Sequence, residues 1–203
     1  MSVAESGIRY TPEEYLRREY DAQEKHQYYH GEIYAMAGGT AEHSFIIANL
    51  TGELHSRLKG GRCRVFDSNL RVRIPRTTLY TYPDVGVICG EIDFDPLDKR
   101  RTTLLNPSLL VEVLSPSTEA WDRGEKLQSY IQIESLREYV LVSSQTASVE
   151  TFLRQADGTW LYTPTRPPAA AAKLQSLNIE LPFADIYAGV TFPPPVIDVP
   201  LER

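Results

Sequence analysis

The stretch "NPSLLVEVLSPST", residues 106–118, decides the fold class of this chain. Its apolar run of leucines and valines, ended by Pro116, is typical of a buried strand. Glu112 stands in the middle of that run. A buried carboxylate loses several kcal/mol of hydration unless a cation or hydrogen-bond donors compensate it. The sequence therefore raises a specific question, which is what Glu112 faces.

Length and composition indicate one globular domain. The chain has 203 residues, of which 42% are hydrophobic, enough for a sizeable core. It contains no run close to the ~18 apolar residues of a membrane helix, and its N-terminal residues show no leader pattern. We therefore expect a cytoplasmic protein with no membrane partner. The net charge of -6 argues against a generic basic nucleic-acid coat, but not against an enzyme that contacts nucleic acid through a local patch and a metal ion.

The two cysteines form no metal-binding or redox motif. Cys63 and Cys89 lie in strand-like stretches and have no CxxC spacing. We interpret them as reduced residues in or near the core of a cytoplasmic protein.

The first third of the chain carries clear helix signals. Thr11, Pro12 and Glu14 form a capping-box pattern that predicts a helix start. Residues 28–39 predict a short strand that ends in a glycine turn. Apolar residues at helical spacing then predict a helix from Thr40 to Lys59, which ends at the glycine pair 60–61.

An arginine-rich segment follows this helix. Residues 62–74 predict a single strand, bulged near Asp67–Ser68, with arginines alternating with apolar residues. Two interpretations of these arginines stay open: the solvated face of a half-buried strand, or a stripe that tracks nucleic-acid phosphates. The arginines concerned are Arg62, Arg64, Arg71 and Arg73.

The remaining pattern places a mixed α/β sheet at the centre of the fold. Strands are predicted at 83–89, 108–114 and 138–144, with a helix opened by a capping box of Asp122 and Glu125. A hairpin joined through Asp157–Gly158 and one more strand at 174–181 add further β-structure. Residues 193–203 predict an irregular tail.

Two acidic residues suggest a metal site. Asp84 begins one predicted strand and Glu112 lies in another, so pairing of these strands would bring both carboxylates to one sheet edge. Two adjacent carboxylates do not both ionise comfortably without a cation. Mg²⁺ prefers such oxygen ligands and keeps several waters. Lys126, in the following helix, could reach the same pocket and offset phosphate charge.

Four segments in order, "YPDVGVI", "NPSLLVEVLSPST", "DRGEKLQSYI" and "REYVLV", resemble the PD-(D/E)xK nuclease superfamily. More narrowly, they resemble the bacterial Uma-type family of restriction endonucleases, from about Thr11 through Leu181. The resemblance implies a restriction-endonuclease-like α/β core, with a mixed central β-sheet flanked by helices and additional antiparallel strands. It implies a single domain over 1–203, with its core at about 11–181 and a C-terminal extension at 182–203. It also implies Mg²⁺-dependent phosphodiester hydrolysis, with Mn²⁺ as a substitute ion.

Carried over onto this sequence, the resemblance assigns roles to individual residues. Asp84 is the acid of the PD motif and Glu112 the acid of the (D/E)xK motif, and both would bind metal together with the backbone carbonyl of Val113. The lysine of the common pattern would stand at position 114, which is Leu114 here. The usual reading of the family moves that role to the next helix, and so to Lys126.

Two further positions match residue types that similar proteins often carry. Glu32 could close the metal site or support a metal ligand. His43 could donate a hydrogen bond into the pocket. His26 and His30 lack the further ligands of a zinc site.

Three functional hypotheses remain at this stage. The first is a Mg²⁺-dependent endonuclease that acts on nucleic acid, with DNA as the expected substrate. The alternative is a catalytically inactive module of nuclease fold that binds nucleic acid or protein, which Leu114 and the acidic charge motivate. The third is a structural homodimer with an interface on the hairpin from Ser148 to Thr163.

Overall fold

The computed structural model describes residues 8–36 and 38–194. Its α-helices are α1 (Pro12–Asp21), α2 (Ala41–Leu58), α3 (Glu119–Trp121), α4 (Leu127–Tyr130) and α5 (Phe183–Ile186). A π-helical turn (Asp122–Lys126) joins α3 to α4, and a 3₁₀ turn spans Gln175–Leu177. The strands are β1 (His26–Tyr29), β2 (Glu32–Ala35), β3 (Cys63–Asp67), β4 (Arg71–Ile74), β5 (Leu79–Thr81), β6 (Val85–Cys89), β7 (Thr103–Leu104), β8 (Leu109–Leu114), β9 (Glu138–Ser143), β10 (Val149–Arg154), β11 (Trp160–Thr165), β12 (Ala171–Leu174) and β13 (Ile179–Pro182).

A mixed six-stranded sheet forms the centre, in the order β11-β10-β9-β8-β6-β3. β8 pairs with β9 in parallel and with β6 antiparallel. All six residues of β8 are buried because both faces of the sheet are covered. Alternation along the strand places Leu109, Val111 and Val113 in one apolar cluster and Leu110 and Leu114 in the other. Glu112 therefore points to the same face as the second pair.

The two faces of this sheet are covered by different layers. On one face, α2 packs Ile46, Leu50 and Leu54 into the cluster that also contains residues of β12, β13 and α5. On the other face, the segment from α3 to α4 and a five-stranded sheet, β2-β1-β5-β4-β7, share a cluster with β8 and β9. Tyr15 of α1 and Tyr28 of β1 belong to a third cluster.

Several predicted elements are confirmed. Thr11 and Glu14 make the capping box at the start of α1. α2 occupies the predicted range, with Thr40 as its N-cap. The strands at β6, β8 and β9 and the hairpin of β10 and β11 also lie where the pattern placed them. Within the described residues, no helix is long and apolar enough to cross a membrane.

The arginine-rich segment is two strands and not one bulged strand. β3 belongs to the six-stranded sheet and β4 to the five-stranded sheet. Between them, an Asp67 carboxylate oxygen accepts a hydrogen bond from the backbone N–H of Asn69 at 2.9 Å, and the Asp67 carbonyl accepts one from Leu70. This Asx turn redirects the chain from one sheet to the other.

Residues 28–39 also differ from the prediction, because they contain a hairpin. β1 and β2 pair antiparallel around His30 and Gly31, which both have positive φ values, 50° and 88°. Near the C-terminus, a 3₁₀ turn interrupts the predicted strand 174–181. Residues 195–203 of the predicted tail lie outside the described residues.

The interpretation of the two cysteines as reduced residues is wrong. Cys63 and Cys89 face each other across the antiparallel pair of β3 and β6, with Cα atoms 4.0 Å apart, and form a disulfide. The pairing of these strands brings the sulfur atoms together, and the linear sequence carries no motif that signals it.

The predicted capping box of Asp122 and Glu125 does not form. The helical segment begins earlier, at Glu119, so Asp122 lies inside it and its side chain is buried. An Asp122 oxygen instead accepts a hydrogen bond from Lys126 at 3.2 Å. The helical segment is kinked between these two residues, at Gly124.

Candidate active site

Strand register brings Asp84 and Glu112 to one edge of the sheet. Val85 of β6 pairs with Val111 of β8, so the next opposed pair is Asp84 and Glu112. Directly opposed residues project to the same face of an antiparallel pair. The Asp84 carboxylate also accepts a hydrogen bond from the backbone N–H of Val113 at 2.7 Å, which holds it against β8.

Glu112 faces the helical segment that follows β8. Its Oε1 accepts a hydrogen bond from the hydroxyl of Tyr130 at 2.7 Å and lies 2.8 Å from the Nζ atom of Lys126. The side chains of Lys126 and Glu112 are only 5% and 4% exposed. A lysine and a tyrosine therefore compensate the carboxylate in the middle of the apolar strand.

Lys126 contacts a second acid. Its Nζ atom lies 3.2 Å from Oδ1 of Asp122, four residues earlier in the π-helical turn. Gly124 has φ -100° and ψ -107° inside this turn, outside helical values. The turn places the ammonium between the carboxylates of Asp122 and Glu112.

His43 approaches the acids from the other side. It lies in the first turn of α2, where its backbone N–H donates to the N-cap hydroxyl of Thr40 at 3.3 Å. Its Nε2 atom is 3.4 Å from Oδ2 of Asp84. A Cβ atom at position 39 would lie 2.5 Å from Nδ1 of His43, so Gly39 leaves the space that the imidazole ring fills.

Burial and neighbouring charges shift the pKa values of three residues of the site. Burial raises the pKa of Glu112 to about 8; the charge of Lys126 opposes this shift, and those of Asp84 and Asp122 add to it. Burial lowers the pKa of Lys126, but the charges of Glu112, Asp122 and Asp84 outweigh burial and raise it. Burial also lowers the pKa of His43, while the hydrogen bond to Asp84 and its charge raise it overall.

These side chains line one pocket of about 310 Å³. The walls also include the backbone segment after β8 and residues of β1, β2 and the helical segment. Further wall residues are Met36, Ser115, Ser117, Thr118 and Trp121.

The residues of the pocket fit a hard divalent ion in charge and in donor chemistry. Three carboxylates face one ammonium, and the contacts of the described residues fall on Oδ2 of Asp84 and Oε1 of Glu112. The second oxygen of each is therefore available to a cation. Within residues 8–36 and 38–194, no three His, Cys, Asp or Glu side chains converge as a ready ligand set. An ion held here would take few protein oxygens and keep several waters.

The structure brings together four of the predicted site residues: Asp84, Glu112, Lys126 and His43. Val113 also lines the pocket, and its backbone N–H holds Asp84. Glu32 lies elsewhere. Its carboxylate accepts a hydrogen bond from Tyr34 and pairs with Arg9 at 3.7 Å, outside the pocket lining.

The four arginines do not form one stripe. Arg71 is buried and pairs with Asp98 at 3.3 Å, and Arg73 pairs with Asp95 at 2.6 Å. Both lie in the five-stranded sheet. Arg64 lies in β3 and Arg62 directly precedes it, and both are exposed. The stripe, one of the two interpretations left open, does not form as a continuous surface because β3 and β4 enter different sheets.

Asp122 and Tyr130 are site residues that the sequence analysis did not assign. Asp122, Lys126 and Tyr130 are spaced four residues apart, the spacing of one face of a helix. This regularity, next to a buried glutamate in the preceding strand, is the signal that could have identified them.

Comparisons with known proteins show the family of the chain and its fold. The chain matches the family described as "Uma2: Putative restriction endonuclease" over residues 12–184. Two proteins of Synechocystis sp. (strain ATCC 27184 / PCC 6803 / Kazusa), named uncharacterized protein slr1290 and uncharacterized protein sll1609, are similar over most of their length. The first is 42% identical over 185 residues, covering 90% of this chain and 93% of that protein. The second is 37% identical over 174 residues, covering 86% and 92%.

A solved structure shares the fold. It is the crystal structure of a protein from Anabaena variabilis ATCC 29413 described as "a putative nuclease belonging to DUF820". The match has a TM-score of 0.71 at 19% identity and covers 88% of this chain and 97% of that one. At this identity the match shows the fold alone, and it confirms the expected restriction-endonuclease-like α/β core.

Proposed function

This chain belongs to the Uma2 family, and from that premise and the geometry of the pocket we propose that it is a nuclease that hydrolyses phosphodiester bonds in DNA with Mg²⁺. The observation that carries the proposal is the opposition of Asp84 and Glu112 across β6 and β8, with Lys126 2.8 Å from Glu112. These are the acid, acid and lysine of the nuclease pattern, with the lysine supplied from the next helix.

Each residue of the pocket would have a defined role. Asp84 and Glu112 would hold Mg²⁺ through their second oxygens, together with the carbonyl of Val113. The bound ion would lower the pKa of a coordinated water and polarise the scissile phosphate. Lys126 would offset the negative charge that develops on the phosphate.

The neighbouring residues would fix this geometry. Asp122 and Glu112 hold the ammonium of Lys126 from two sides. Tyr130 donates to Oε1 of Glu112, which leaves Oε2 for the ion. His43 and the backbone N–H of Val113 hold Oδ2 of Asp84, which leaves Oδ1.

The test is Mg²⁺-dependent cleavage by the full chain and by Asp84→Asn and Glu112→Gln variants. We expect wild-type cleavage of a labelled DNA oligonucleotide and a loss of at least about 100-fold in each variant, since each removes a metal oxygen. Glu180→Gln, an exposed strand position with a weak ion pair at 3.8 Å, is the control and keeps full activity. Wild-type rates in both acid variants would overturn the assignment.

One observation favours the second candidate, a binding module that has lost catalysis. Lys126 lies 2.8 Å from Glu112 and already compensates its charge without a metal ion. For this candidate, calorimetry would detect no Mg²⁺ or Mn²⁺ binding that depends on Asp84, and no oligonucleotide would be cut.

A further inference from the structure

The catalytic side chains are recessed in the pocket. The side chains of Glu112, Asp122 and Lys126 are at most 5% exposed, and those of Asp84 and His43 are 18% and 15% exposed. A scissile phosphate must therefore enter the pocket to meet Glu112 and Lys126, because neither side chain reaches the outer surface.

The size of the pocket limits what can enter. The pocket of about 310 Å³ has room for a phosphate and one nucleotide unit, so the rest of a bound strand lies outside it. One nucleotide unit of an extended strand is of the right size for such a pocket, since pockets of about 300–1,000 Å³ enclose small organic ligands.

The lining of the pocket carries little positive charge. Among the described residues that line it, Lys126 is the only lysine, no arginine is present, and three acids are. A run of phosphates, in a single strand or in a duplex, is usually held by lysine and arginine, so the lining itself contacts only the nucleotide that enters. Arg71 and Arg73, for which phosphate contact was one of two open interpretations, are paired with Asp98 and Asp95.

The walls have the chemistry to contact a single nucleotide. Ser117 and Thr118 present hydroxyls, and both are linked to Ser115 by contacts of 3.1 and 3.0 Å. Met36 supplies apolar surface, and Trp121, which is mostly buried against Tyr29, adds the part of its ring that lines the pocket, which suits an unstacked base.

We propose that the substrate of this site is an unpaired DNA strand, from which one nucleotide unit enters the pocket. This inference rests on the proposed nuclease function and adds the substrate class to it. Paired DNA is a substrate only where a nucleotide is splayed out, as at a flap, an end or a bulge, because extrusion from a stack costs energy that an unpaired strand does not spend.

Binding tests the inference without depending on catalysis. The full chain is titrated, in Ca²⁺, into a fluorescently labelled single-stranded oligonucleotide and into the same strand annealed to its complement. We expect at least tenfold tighter binding of the single strand by fluorescence anisotropy. Equal or tighter binding of the duplex, or no binding of either, would overturn the inference.

A pair of variants locates the binding. Ser117→Trp places a large side chain at an exposed wall position, and we expect it to weaken single-strand binding at least tenfold. Ser56→Trp, at an exposed position of α2 outside the pocket lining, is the matched control and binds like the wild type. Equal affinities of the two variants would place the strand elsewhere and contradict the inference.

Cleavage separates this inference from the proposed function. With Mg²⁺, we expect the single strand and a flap of the same sequence to be cut at least tenfold faster than the duplex. Faster duplex cleavage would overturn the inference and leave the nuclease proposal intact. If the single strand binds tightly but is not cut, the nuclease proposal is overturned, whereas the preference for an unpaired strand stands.

Discussion

Lys126 and Glu112 form a buried ion pair that affects both the stability of the fold and the proposed activity. Their charged atoms lie 2.8 Å apart in the interior. Removing one partner of a buried pair leaves the other charge without compensation and typically costs about 3–5 kcal/mol. The energetic value of the pair is therefore best measured by removing each partner and then both.

For Lys126→Met we expect the free energy of unfolding to fall by about 3 kcal/mol or more. Adding Glu112→Gln to this variant should recover part of that loss, because Glu112 then carries no uncompensated charge and the buried carboxylate of Asp122 is still without its ammonium partner, while cleavage stays abolished. Urea unfolding of the single and double variants measures both effects. Losses in the two single variants that simply add in the double variant would contradict the coupling.

Two adjacent glycines give a matched test of the position of His43. A Cβ atom at position 39 would lie 2.5 Å from the imidazole, whereas nothing lies within 4 Å of one at position 38. We therefore expect Gly39→Ala to displace His43 from Asp84 and to lower the cleavage rate about tenfold. This corresponds to an increase of roughly 1.4 kcal/mol in the activation free energy.

Gly38→Ala is the control for this change, and it should cleave at the wild-type rate. The kinetic assay is run at saturating Mg²⁺ so that a lower rate reflects misplacement of Asp84. If both alanine variants behave alike, then the contact with His43 does not position Asp84.

At the scale of elements, buried ion pairs hold the segment between β6 and β7 against β4 of the five-stranded sheet. Asp98 accepts hydrogen bonds from Tyr20, Thr102 and Thr103 and pairs with Arg71. Burial raises the pKa of Asp98, but these hydrogen bonds outweigh burial and hold its pKa well below the usual value. The carboxylate form therefore stabilises the fold.

This arrangement predicts a loss of stability in acid. Because the folded-state pKa of Asp98 lies below the unfolded-state value of about 3.9, its contribution is complete above about pH 4 and is lost as the pH falls toward the folded-state pKa. We expect the free energy of unfolding to decrease between about pH 4 and 2, and Asp98→Asn to decrease less steeply over that range. Parallel pH profiles of the two proteins would contradict this role.

At the scale of the whole molecule, metal binding should stabilise the fold. Three carboxylates and one ammonium share the pocket, and an ion that binds only the folded state adds about 2.7 kcal/mol at 100 times its Kd. For a chain of this size we expect Tm to rise by roughly 5–10 °C at that excess of Mg²⁺.

Scanning calorimetry with Mg²⁺ and with an equal ionic strength of NaCl measures this effect. Asp84→Asn should lose the increase in Tm, and Glu180→Gln should keep it.

The expected cytoplasmic location and the homodimer on the Ser148–Thr163 hairpin stay predictions. The hairpin itself is present, with Leu161 and Tyr162 exposed on β11.

The sequence by itself determined the fold class and the central acids. A buried apolar strand with one carboxylate, a second acid beside Pro83 and a capped first helix are local patterns, and local propensity decides them. The order Asp84, Glu112 and Lys126 came from the family resemblance, and its catalytic role stays a prediction. The position of Lys126 beside Glu112 required the structure.

The tertiary structure decided which residues meet across the chain. The disulfide of Cys63 and Cys89, the separation of Arg71 from Arg64 and the remote place of Glu32 all follow from strand pairing and sheet membership. Such long-range pairings depend on how whole elements pack, and no short stretch of sequence encodes them. The sequence alone identifies Glu112 as a carboxylate in an apolar strand. The fold brings Lys126 and Tyr130 to it, and these two partners compensate its burial.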